Sequence, residues 1–157
     1  MNEKYLWLIL PIIAALLSVP VIANEVTVSA TVPTYVSVVF NYNTVNYSQV
    51  SATGVTDLAA PNQNSGIYNV TVATNVPLTV SAYRTAWSPS DVLTLKFAVG
   101  TSVPSSPQVT LTTTSQTVAT VTQTGQYTHY HGYWLTVPAY TTPGTYSTTV
   151  TITYSAS

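Results

Sequence analysis

Two histidines, His129 and His131, stand two residues apart and would share one side of a strand, a spacing at which a pair of imidazoles can hold a metal ion. Such a site needs a further ligand, and the acidic candidates Glu25, Asp57 and Asp91 all lie far off in sequence. The expectation is a surface pair in a tyrosine-rich loop, with no metal and no other cofactor. Asp57 and Asp91 are the two carboxylates glycoside hydrolysis would use, yet neither sits in an apolar run that would raise its pKa. A serine nucleophile has no Gly-x-Ser-x-Gly turn to present it. Cysteine is absent, which excludes thiolate chemistry and disulfides. The chain reads as a non-enzyme.

Three further groups invite a chemical role. Lys96 could form an isopeptide crosslink with an Asn or Asp, but strand parity sets it opposite Leu93, Leu95 and Phe97, the side expected to be core. The aromatic residues Tyr127, Tyr130, Tyr133, Trp134 and Tyr140, with Trp87 elsewhere, suit carbohydrate stacking, contacts between subunits, or core packing. Asn46-Tyr47-Ser48 and Asn69-Val70-Thr71 are N-glycosylation sequons, whereas Asn75-Val76-Pro77 is not.

These residues sit in a chain with few charges: three Lys plus Arg and four Asp plus Glu among 157 residues, for a formal net charge of -1. Three basic residues cannot neutralise a phosphate backbone, so a nucleic-acid partner is excluded. At 46% hydrophobic the chain is not of the disordered class. With so few carboxylates to protonate, the composition implies a fold that survives acid, with His129 and His131 titrating near their ordinary value.

The elements that must position these groups follow from periodicity. Residues 5–23 are almost wholly apolar after a short polar start with Lys4, and they close on Val21-Ile22-Ala23 ahead of Asn24. This reads as a secretory signal peptide, residues 1–23, cleaved between Ala23 and Asn24. An uncleaved membrane anchor is the rival, weakened by Pro11 and Pro20. With the signal removed, nothing is left to hold the chain in a membrane, and it is expected to be secreted. The remainder is rich in Thr, Val, Ser and Tyr with no apolar period of 3.6, which predicts an all-β fold.

Val26, Val28, Ala30 and Val32 alternate with Thr27, Ser29 and Thr31, forming an opening strand that stops at Pro33. Strands follow over residues 35–41, 44–50, 67–73, 78–83, 92–99, 109–112, 116–121, 133–137 and 146–154. Residues 51–66 read as a loop, and the spacing of 67–73 and 78–83 is that of a hairpin. Strands this short, at these spacings, imply a single β-sandwich of immunoglobulin-like or jelly-roll type over residues 34–157.

Three stretches carry a resemblance: Val38-Val39-Phe40-Asn41-Tyr42-Asn43-Thr44-Val45-Asn46-Tyr47, the run from Asn64 to Asn75, and the closing Pro143-Gly144-Thr145-Tyr146 through Tyr154. They resemble subunits of archaeal extracellular threads and bundling pili and, more distantly, are similar to spore coat U-like and chaperone-usher pilin domains. The cysteine pair common in the bacterial relatives is missing. The resemblance implies an incomplete sandwich that is completed by the N-terminal strand of a neighbour, so the partner would be the chain itself, in a homopolymer at the cell surface. Other filaments or cell-surface glycans would be further partners. Residues 24–33 would be the donor strand, with Val26, Val28, Ala30 and Val32 filling the groove and Pro33-Thr34 acting as the pivot. Pairing of this strand within its own sandwich is the alternative. A monomeric secreted adhesin or carbohydrate-binding protein is the alternative function.

Overall fold

The structure, a computed structural model, describes residues 27–51 and 53–157. The chain divides between Val32 and Pro33 into two units. Of the first, only Thr27–Val32 is described; the proposed cleavage site at Ala23 and Asn24, together with Val26, lies outside the described residues. Thr27–Val32 belongs to no strand, and all six residues are exposed, with Val28 at 87% and Val32 at 79%. The expected opening strand is therefore chain without a ladder over its described part.

The second unit is all-β. Its strands among the described residues are β1 (Val36–Phe40), β2 (Val55–Ala59), β3 (Asn69–Thr74), β4 (Leu78–Arg84), β5 (Thr94–Gly100), β6 (Val109–Thr110), β7 (Gln116–Val121), β8 (Gly125–Val137) and β9 (Val150–Ala156). All pairings are antiparallel. One sheet has the order β1-β3-β8-β5-β6, with β2 also on β8, and the other has the order β7-β4-β9. Val80 and Ala82 of β4 pack with Leu95, Phe97, Tyr133 and Leu135 of β5 and β8 in one core, as in a β-sandwich.

Parity explains the layers. In β5 the side chains of Leu95, Phe97 and Val99 turn inward and are buried, and Lys96 turns outward to an ion pair with Asp57 at 2.8 Å. The outward side is not all wet, since Ala98 and Trp134 are also buried there. The Trp134 ring lies over Gly132, where an added Cβ would come within 2.4 Å of it.

β8 is the longest strand, 13 residues, and β3 flanks one half of it while β2 flanks the other. At the junction Gln63, 3% exposed in a 3-10 turn, accepts a hydrogen bond from the Tyr133 N–H at 2.6 Å and donates to the Pro104 carbonyl. It replaces the missing ladder bond.

Several expectations are corrected. Residues 51–66 are not simply loop, because they contain β2 and the 3-10 turn. Residues 44–50 form no strand, since no described residue pairs with them. β3 and β4 are not a hairpin: Thr74–Pro77 carries the chain from one sheet to the other. That crossing is fixed by Asn75, whose side chain accepts from the Tyr35 N–H and donates to the Pro33 carbonyl. The closing strand begins at Val150, preceded by a single bridge between Ser88 and Ser147. The supposed tyrosine-rich loop around His129 and His131 is the body of β8. Among the described residues no helix is long and apolar enough to cross a membrane.

Candidate functional site

The sandwich is open along one side, where β1 and β9 are edges of their respective sheets. At the two ends of β9, Thr149 accepts from the Thr85 N–H and the Ser157 N–H donates to Pro77, so odd-numbered residues bond toward β4. The N–H and C=O groups of Val150, Ile152 and Tyr154 therefore point to the unpaired edge while their side chains pack on the core. β1 repeats the pattern: the Asn75 N–H donates to Tyr35 and the Asn41 N–H to Asn69, which leaves the backbone of Val36, Val38 and Phe40 facing outward. No described residue pairs with either edge; the apolar side chains of β9 and Val38 of β1 pack on the core, while Val36 and Phe40 of β1 stay partly exposed.

Beside the β9 edge runs a cleft of about 1160 Å³. One wall is Phe40 and residues 42–51, the continuation of β1, and the other is residues 141–152, the approach to β9 and its first three residues. Its floor is core: Trp87, Leu93, Leu95, Tyr133, Leu135 and Val137. Trp87 is 9% exposed, yet its indole Nε1 finds no acceptor among the described residues. A buried donor left unpaired is costly, and an incoming carbonyl would satisfy it.

A polar chain closes one end of the cleft. The Tyr133 and Tyr42 hydroxyls are 2.6 Å apart, Tyr42 meets His131 Nδ1, and His131 Nε2 is 2.9 Å from the Tyr154 hydroxyl, which also reaches His129 Nδ1 at 3.2 Å. Phe40 and Phe97 pack edge-on against the His131 ring. A neutral imidazole donates at one nitrogen and accepts at the other, so His131 can serve both tyrosines as donor to one and acceptor from the other only without charge. Burial, followed by the neighbouring His129, pulls the His131 pKa down to about 3, and burial lowers that of His129. Burial likewise pushes the Tyr42, Tyr133 and Tyr154 hydroxyls up.

The histidines do share one side of β8, but both are buried at 1% exposure, and the expected surface pair titrating near neutrality is corrected. Alternating Tyr127, His129, His131 and Tyr133 point inward, where their rings fill the core and all but the Tyr127 hydroxyl have polar partners. No group of three or more His, Asp or Glu that could hold a metal occurs among the described residues.

The carboxylates are separately engaged. Asp57 bonds Lys96 and Thr136, and Lys96 holds its carboxyl below the usual range. Asp91 accepts from the Trp87 backbone N–H at 3.1 Å and from Arg84 at 2.6 Å, which depress it in that order. Glu25 lies outside the described residues.

The aromatic residues are divided rather than brought together. Tyr127, Tyr133 and Trp87 turn into the core or cleft, Tyr130 and Trp134 lie on the far side of β8, and Tyr140 is 95% exposed by itself. Asn46 is exposed on the cleft wall, its Oδ1 accepting from the Ser48 N–H. Asn69 lies within β3, its amide donating to Gly66 at 2.7 Å and its Oδ1 accepting from Asn41 at 2.6 Å. Val28, Ala30, Val32, Pro33 and Thr34 are all exposed.

Sequence reasoning missed Gln63 and the Tyr42–His131–Tyr154 chain. A signal existed for the latter in the period-2 run from Tyr127 to Tyr133. Comparison of the chain with protein-family models, with curated proteins and with solved structures returns no match to any of them.

Proposed function

We propose that this protein is the structural subunit of an extracellular filament and that it polymerises when residues 24–33 of one copy enter the cleft of the next. The observation that carries this reading is the cleft beside β9, where Val150 and Ile152 offer unpaired backbone groups above an apolar floor. An added strand would complete the ladder there and place alternate side chains into the core. The exposed Val28 and Val32, with Ala30 between them, belong to a segment of the right periodicity, and Pro33-Thr34 is the pivot that redirects it. The fold is then an immunoglobulin-like sandwich short of one strand. Secretion through a cleaved signal, residues 1–23, goes with this reading.

The alternative, a monomeric carbohydrate-binding adhesin, draws less support, because strand parity separates the aromatic side chains that would form a stacking platform. Deletion of residues 24–33 tests the proposal. Negative-stain electron microscopy is expected to show thin fibres for residues 24–157 and none for the truncated chain; fibres from both would overturn it.

A further inference from the structure

The cleft is already occupied in part by the subunit's own chain. Val45, Tyr47 and Val50 pack against the core cluster from the cleft wall, with the alternation of a strand at Val45 and Tyr47. Their backbone makes no ladder, and the hydrogen bonds of residues 43–50 to the described chain are local, from the Ser48 N–H to Asn46 and from Thr44 to Asn43. The segment is held by side-chain burial alone.

That hold is compromised at two adjacent residues. The Tyr47 hydroxyl is buried and has no hydrogen-bond partner among the described residues. Ser48 has φ 51°, a left-handed conformation that a residue with a Cβ adopts only at a cost. The segment is nonetheless anchored at each end. Tyr42 is tied to His131 and Tyr133 through its hydroxyl, and Gly54, at φ +91, presses so close to Ala139 that an added Cβ would come within 2.8 Å of its backbone nitrogen. A strap fixed at both ends, strained at its middle and free of backbone bonds can lift without unfolding the sheets.

We infer that residues 43–50 are a self-plug: they shield the cleft floor in the free subunit through Val45, Tyr47 and Val50, and they lift when the neighbour's N-terminal strand arrives. This rests on the donor-strand reading above and adds what that reading lacks, the state of the cleft before assembly. The incoming strand gains what the plug cannot supply, namely bonds to the open edge of β9 and an acceptor for Trp87 Nε1. A subunit whose competent form is a minor population assembles at a rate reduced by that fraction, so the plug sets the lag before polymerisation.

The test uses residues 24–157, refolded by dilution from denaturant, with light scattering to follow assembly and microscopy to identify fibres. Because the chain has no cysteine, Val45→Cys supplies a unique thiol. Maleimide labelling is expected to be about tenfold faster in fibres than in free subunits, as the plug passes from packed to released. Tyr47→Ala is expected to shorten the lag about tenfold by emptying the plug, while Tyr47→Phe, which removes the unpaired hydroxyl and keeps the ring, lengthens it. If fibres form through residues 24–33 but the introduced thiol is equally protected in both states, or the two Tyr47 variants shift the lag in the same direction, the plug is overturned and the donor-strand reading stands. If no fibres form from any variant, both fall.

Discussion

His131 and Tyr154 meet at 2.9 Å, imidazole Nε2 to hydroxyl, and so join β8 of one sheet to β9 of the other through a ring that burial keeps uncharged. Tyr42 holds the opposite nitrogen, and no carboxylate among the described residues bonds this imidazole to stabilise an added proton.

Acid should therefore weaken the fold, contrary to what the scarcity of carboxylates implies. The folded His131 pKa, about 3, lies below its ordinary 6.5, so between those values the unfolded chain binds a proton that the native one refuses. The contribution is complete above pH 6.5 and is lost as pH falls toward 3, at about 1.4 kcal/mol per pH unit for one group. His129 adds in the same direction. Urea midpoints at pH 7, 5 and 3.5 are expected to fall in sequence, and His131→Gln should make the fall shallower, leaving the part due to His129. A flat wild-type series would mean the imidazole is solvated.

The parity of the proposed donor strand can be read from two single substitutions. Val28→Asp places a carboxylate on the side expected to enter the cleft, where desolvation without a partner costs several kcal/mol, and should abolish fibres. Thr27→Asp, on the other side, should leave them. Equal effects in sedimentation assays would refute the assignment.

Of the two sequons, only Asn46 has a side-chain nitrogen with no hydrogen-bond partner among the described residues. The Asn69 carboxamide is engaged with Gly66 and Asn41 within β3, and the Thr71 hydroxyl of its sequon accepts from Asn41. Mass spectrometry of protein from its native source, if it glycosylates, is expected to find sugar at Asn46 and not at Asn69.

Two core substitutions have effects independent of assembly. Phe97 is fully buried, with ring centroids 5.1 Å from both His131 and Tyr133, and Phe97→Ala should cost about 3–5 kcal/mol. Gly132→Ala drives a methyl into the Trp134 ring and should cost about 1–3 kcal/mol. Denaturant unfolding monitored by circular dichroism measures both.

Where hydrophobic alternation is clean, the sequence is sufficient. Leu95, Phe97 and Val99 place β5 and send Lys96 outward, and Val150, Ile152 and Tyr154 set the inward side of β9. Much of β8 is hidden because its inward residues have polar tips, and only their mutual bonding, invisible in sequence, makes burial tolerable. The alternation of Val45 and Tyr47 reports their burial correctly and a strand wrongly, since a strand needs a neighbour. β2 escapes notice because Asp57, at φ 50°, and a register shift between Val55 and Leu58 break its pattern. The cleft itself cannot be read, because an unpaired strand edge leaves no mark on periodicity.

The ion pairs Arg84–Asp91 and Lys96–Asp57 together use every charged side chain in residues 27–157. Such a domain casts almost no field beyond a few ångströms, and two copies approach by diffusion without steering or repulsion. Their rate of encounter should then be nearly indifferent to dilute salt, whereas solutes excluded from protein surfaces, such as sulfate or sucrose, should promote their association.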